Sequence, residues 1–105
     1  MASKTPIFEV IEQRLKEKAE DLKANNVKVE VRSPVEIREG FFKGGINFKT
    51  QKKIASFTLW EREITQVEVL ELNIETGKSK IGYDGVVSDG EQALGIFDEL
   101  CNSFL

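Results

Sequence analysis

Apolar positions along the chain switch between two periods. Phe8, Ile11, Leu15, Ala19 and Leu22 recur at three- to four-residue spacing, with Glu, Lys, Arg and Gln between them. That spacing marks a helix with one buried stripe. Thr5-Pro6 opens the helix well, because threonine caps and proline presets φ in the first turn. Ala24-Asn25-Asn26 closes it, since asparagine tolerates the left-handed conformation at a helix end. From Val27 the period drops to two: Val27, Val29 and Val31 alternate with Lys28, Glu30 and Arg32, as in a strand with one wet face. Ser33-Pro34 interrupts it, because proline has no N–H for a ladder and belongs at an edge or a bulge. Val35 and Ile37 resume the alternation, and Gly40 ends the unit.

"FFKGGINFKT" and "KIASFTLWE" read as two strands of a hairpin, turning around Thr50 to Lys53. The Gly44-Gly45 pair within the first predicts a bulge or a close backbone approach. In "ITQVEVLELNIE" the apolar set moves from Val67 and Val69 to Leu70, Leu72 and Ile74, and this slip of phase predicts a second bulge near Val69. "ETGK" is a turn with a glycine for positive φ, and "SKIGYDG" returns as a strand. Ser88-Asp89-Gly90-Glu91 has the spacing of a capping box, with Leu94, Phe97, Leu100, Cys101 and Phe104 lining the helix behind it. The order is an N-terminal helix, a four- to six-stranded mostly antiparallel sheet and a C-terminal helix, a single α+β domain over residues 1–105. Both helices are expected on one face of the sheet, leaving the other to water or to a partner.

Composition narrows this only slightly. A chain of 105 residues, 40% hydrophobic and 31% charged, is an ordinary folding unit and no disordered tail. Its net charge of −3 argues against a direct nucleic-acid binder, which carries a basic patch on a basic domain. The single cysteine, Cys101, cannot form an internal disulfide, which favours a reducing compartment. No segment has the apolar run of a signal peptide or the ~20 apolar residues of a membrane helix. A cytoplasmic location without membrane contact is therefore expected.

The candidate chemistry is sparse. Histidine is absent, and with it the commonest general base near neutral pH and the commonest transition-metal ligand. Glu61 and Glu63 are two apart at a strand end, which reads as a solvated acidic edge, as a binding determinant or, least well, as a catalytic carboxylate pair. Neither Gly44-Gly45 nor "GYDG" carries a phosphate-loop or dinucleotide pattern. Cys101 lies on the apolar stripe of the last helix, where a buried inert thiol is expected. No catalytic residue, metal or cofactor is assigned, and the chain does not read as an enzyme.

Two features point to binding. Lys43, Lys49, Lys52 and Lys53 gather on one hairpin, either protecting a sheet edge or forming a basic patch for an acidic partner. Trp60 shares a strand face with Ile54, Ser56 and Thr58, opposite Ala55, Phe57 and Leu59. It is either an exposed anchor beside glutamates or a residue packed under a loop or helix.

The amphipathic first helix, the valine strand running into Ser33-Pro34, "FTLWE" at 57–61, "VEVLELNIETGK" at 67–78 and the closing helix together resemble the TriTu-type immunity proteins of bacterial polymorphic and contact-dependent toxin systems. The likeness spans almost the whole chain in element order; "REGFFKGGINFKT" and the basic hairpin depart from it. The resemblance implies a non-catalytic antitoxin that binds and neutralises a cognate toxin domain in the cytosol. Its partner would present a basic surface, as a nuclease domain does, met by carboxylates around an aromatic anchor. Physical reasoning assigns that toxin-binding surface to Thr58, Trp60, Glu61, Glu63, Glu68 and Glu71. Two other readings stay open: a homodimeric structural module and a small-ligand module using the sheet as a floor.

Overall fold

The computed structural model describes residues 6–105, so the Thr5 cap lies outside the described residues. Helix α1 spans Pro6–Ala24 and buries Phe8, Ile11, Leu15 and Leu22. Ala19 is exposed instead, because at 3.6 residues per turn it lies about 60° round the helix from Leu22, at the rim of the stripe. Asn26 takes the left-handed conformation (φ 60°). Around it Val27 N–H donates to the Leu22 carbonyl and Asn26 N–H to that of Lys23, each at 3.0 Å. This pair of bonds is a Schellman closure.

Five strands follow: β1 Lys28–Arg38, β2 Phe41–Lys49, β3 Lys53–Glu61, β4 Thr65–Asn73 and β5 Ser79–Val87, and helix α2 spans Gly90–Asn102. Each strand pairs antiparallel with the next, giving one sheet in the order β1-β2-β3-β4-β5. The β2–β3 hairpin therefore lies in the sheet interior, and its lysines protect no edge. The basic group also disperses: Lys43 is at the end of β2 far from Lys49, and Lys53 Nζ turns to Ser103 Oγ at 3.0 Å.

Ser33-Pro34 forms a bulge: Arg32 pairs with Gly45 and Val35 with Lys43, so two residues of β1 oppose Gly44 alone. The expected bulge of β4 is on its neighbour. The β3–β4 register runs unbroken from Lys53↔Asn73 to Glu61↔Thr65, whereas Val69 pairs with Tyr83 and Leu70 with Ile81, leaving Gly82 of β5 extra. The change of phase in β4 is thus a real change of face. Val67 and Val69 are buried, while Leu70 and Leu72 point to the opposite side, exposed.

The core is the layer between the helices and the sheet. Ile46, Phe48, Phe57, Leu59, Val67 and Val69 meet Phe8, Ile11, Leu22, Phe97 and Cys101 there. Phe97 packs edge-on to Phe57 with ring centroids 5.3 Å apart, and Phe104 stacks on Phe48 at 5.4 Å. Arg14 of α1 donates to Asp98 of α2 at 2.7 Å, fixing the helices to each other. The α2 cap is offset by one residue from the expected box: the Asp89 side chain accepts from Gln92 N–H at 2.9 Å, and the Gln92 side-chain Oε1 accepts from Ser88 N–H at 2.8 Å. Among the described residues no helix is long and apolar enough to cross a membrane.

Candidate docking face

With both helices on one side, the opposite face of the sheet carries rows of side chains set by the register. One end row runs Lys28–Lys49–Ile54–Leu72–Ser79, and the next runs Glu30–Asn47–Ser56–Leu70–Ile81. Arg32, Gly45, Thr58, Glu68 and Asp84 make the third, while Val35, Lys43, Trp60, Gln66 and Val86 make the fourth.

The third row is a polar bar. Arg32 reaches from β1 over Gly45 to β3, where its Nη2 donates to Thr58 Oγ1 at 3.0 Å and to the Phe57 carbonyl at 3.3 Å. Its Nε donates to Asn47 Oδ1 at 3.0 Å, and Asn47 Nδ2 donates to Glu30 Oε1 at 3.0 Å. A Cβ on Gly45 would collide with both the Phe57 carbonyl and the guanidinium. Glycine is thus required here for a close approach, as the pair in the sequence foretold. Burial holds the Arg32 guanidinium below its ordinary pKa, with the nearby Glu30 carboxylate acting against that shift. It stays charged at neutral pH.

The expected toxin-binding residues separate in space. Trp60 is half-buried on the open face, with Lys43 Nζ 5.4 Å from its ring centroid. Glu68 shares that face one row away. Thr58 is on the face but sealed beneath Arg32, leaving 6% of its surface exposed. Glu61 ends β3 on the helix side, sharing the Leu59 orientation, and Glu63 is exposed in the turn to β4. Glu71 also faces the helices, where Lys53 holds it at 3.1 Å and Lys80 at 3.9 Å. Only Trp60 and Glu68 offer accessible groups on one surface. The assignment of Glu61 beside Trp60 fails on strand alternation, because neighbouring residues point to opposite faces.

What the residue-by-residue reading missed is the other end of the face. Ile54, Leu70, Leu72 and Ile81 floor a groove of about 900 Å³, and Ile81 is 63% exposed. The signal was present in the phase change of β4, which exposes Leu70 and Leu72. Lys28 and Lys49 stand directly opposite each other at the groove's β1–β2 side.

The Cys101 thiol is buried on the inner face of α2 and pushed up by desolvation to about 12, far from a thiolate at neutral pH. No three His, Cys, Asp or Glu side chains converge to hold a metal ion among the described residues. No protein-family model, curated protein or solved structure matches the chain.

Proposed function

We propose that this chain is a cytosolic immunity protein that neutralises a toxin domain by occupying its surface, without catalysis. The observation that supports this best is the uncovered sheet face, where Trp60 and exposed aliphatic side chains surround the Arg32 polar bar. Exposed aromatic and aliphatic groups around a fixed polar centre are what a macromolecular interface uses, an anchor to desolvate and charges to set register. Glu68 and Asp84, opposite each other beside Trp60, are the carboxylates available to a basic toxin surface.

The test mixes the protein with the toxin domain encoded by the neighbouring upstream reading frame and follows dissociation. Trp60→Ala and Glu68→Ala/Asp84→Ala are each expected to speed dissociation tenfold or more, about 1.4 kcal/mol. Failure to form a complex would remove the function; a complex indifferent to both variants would remove the face.

A second reading, a homodimer through the same face, draws on the exposure of Ile81 and Leu70. Light scattering at twice the 11.9 kDa chain mass would favour it.

A further inference from the structure

The basic-apolar end of the open face is chemically unlike the Trp60 end, and we infer that it receives an acidic, apolar peptide segment of the partner protein. This assignment rests on the docking role of the face and specifies what it accepts.

The charge balance of the groove carries the inference. Two acidic residues line it, and neither offers a free carboxylate: Glu30 accepts from Asn47, and Glu71 turns its carboxylate to the helix side, where Lys53 and Lys80 hold it. Of the three lysines that line it, Lys80 is engaged with Glu71 and the other two are not. Lys28 and Lys49 are cross-strand neighbours with the same sign, and neither forms an ion pair among the described residues. Lys52 joins them across a second hollow that both also line, and it too is without an ion pair. Like charges directly opposite each other destabilise a sheet. A carboxylate arriving between them relieves that repulsion and gains from each ammonium.

The groove floor adds the apolar half of the requirement. Leu70, Leu72 and Ile81 are exposed and contiguous with the lysines, so an occupant must present aliphatic or aromatic groups beside its acids. The dimensions suit a segment of polypeptide. Five strands span four inter-strand spacings, roughly 19 Å, wider than the roughly 10–12 Å of a helix with its side chains. A floor without a lid exposes too much of a small molecule, which ordinarily is largely enclosed when bound. A recessed floor also fits a narrow rod better than a flat bilayer.

The test is a selection from a phage-displayed library of random peptides against the purified protein, with Lys28→Gln/Lys49→Gln and Ile81→Asp as variants. Enriched peptides are expected to combine Leu, Ile or Phe with Asp or Glu. The synthetic form of one such peptide should bind at least tenfold more weakly to either variant and more weakly as salt is raised. Circular dichroism of the variants establishes that they fold, and Lys28→Ala/Lys49→Ala serves if the glutamine pair does not. Enrichment of basic or uncharged peptides, no enrichment, or affinity unchanged by the lysine substitutions would each overturn the assignment. So would binding to phosphatidylglycerol vesicles in place of peptides. The toxin domain takes no part in this experiment. A toxin complex held through Trp60 with no acidic peptide selected would therefore overturn the groove assignment alone, and the reverse result would overturn only the immunity function.

Discussion

Arg32 secures Thr58 from across an intervening strand, its guanidinium passing over Gly45 to donate to the threonine hydroxyl at 3.0 Å. Three strands are thereby tied on the face opposite the two helices. The arrangement depends on an absent side chain. Gly45→Ala is expected to cost about 2–4 kcal/mol, because the new methyl overlaps a backbone carbonyl that cannot move and a guanidinium that is already bonded. Gly77→Ala is the control: its φ of 71° is strained for alanine, but nothing lies within 4 Å of the added carbon. It should lose only about 1–2 kcal/mol. Urea unfolding of both variants measures the difference, and equal losses would mean that the passage over Gly45 is not tight.

The cap of α2 gives a second test. Asp89, one residue after the serine favoured by spacing, takes the extended cap conformation and bonds Gln92 N–H. Asp89→Ala should therefore lower stability by about 1 kcal/mol, whereas Glu91→Ala should change it by no more than about 0.5 kcal/mol. Thermal melts distinguish the two registers of the cap. The reverse ranking would restore the Ser88–Glu91 box.

Element order was legible in this sequence because period, proline and glycine are local properties. The helix stripe, the Ser33-Pro34 bulge and the Asn26 closure follow from neighbours in the chain, and each is present. The position of a strand within the sheet is a long-range property, so lysines on β2 and β3 looked like edge residues while lying inside. The same limit misplaced the bulge. Leu70 and Leu72 made β4 look slipped, but the irregularity is Gly82 on the neighbouring strand. At the site, alternation put Trp60 on the open face. Alternation from Val67 and Val69 likewise put Glu71 on the helix side, but no local rule announced that Lys53 would hold it there, or that Arg32 would cover Thr58.

Cys101 sets an alkaline limit. Its thiol is raised from an ordinary 9.0 to about 12 in the folded chain, chiefly by desolvation. Below pH 9 both states keep the proton, so the burial costs nothing there. Between pH 9 and about 12 only the unfolded chain releases the proton, and stability must fall as pH rises. Urea midpoints at increasing pH should drop more steeply for the native chain than for Cys101→Ala. Parallel curves would show that the thiol ionises as freely folded as unfolded. Labelling with a thiol reagent at neutral pH should likewise proceed only in denaturant.

The open face predicts that stability and recognition can be separated within one sheet. Ile81 is 63% exposed on edge strand β5, whereas Phe57 is fully buried beneath Phe97. Ile81→Asp should cost about 1 kcal/mol or less, the strand preference of the residue itself. Phe57→Ala should cost about 3–5 kcal/mol through the cavity it leaves. Binding should rank the variants differently. Ile81→Asp puts a charge into the groove floor beside Leu70 and is expected to weaken the proposed complex with a toxin domain at least tenfold. Phe57→Ala, at a temperature where it remains folded, should bind within threefold of the native chain. The comparison needs urea midpoints and dissociation rates on the same preparations. If Ile81→Asp lost stability and affinity together, its binding defect would be explained by unfolding, and the groove would need no role in recognition.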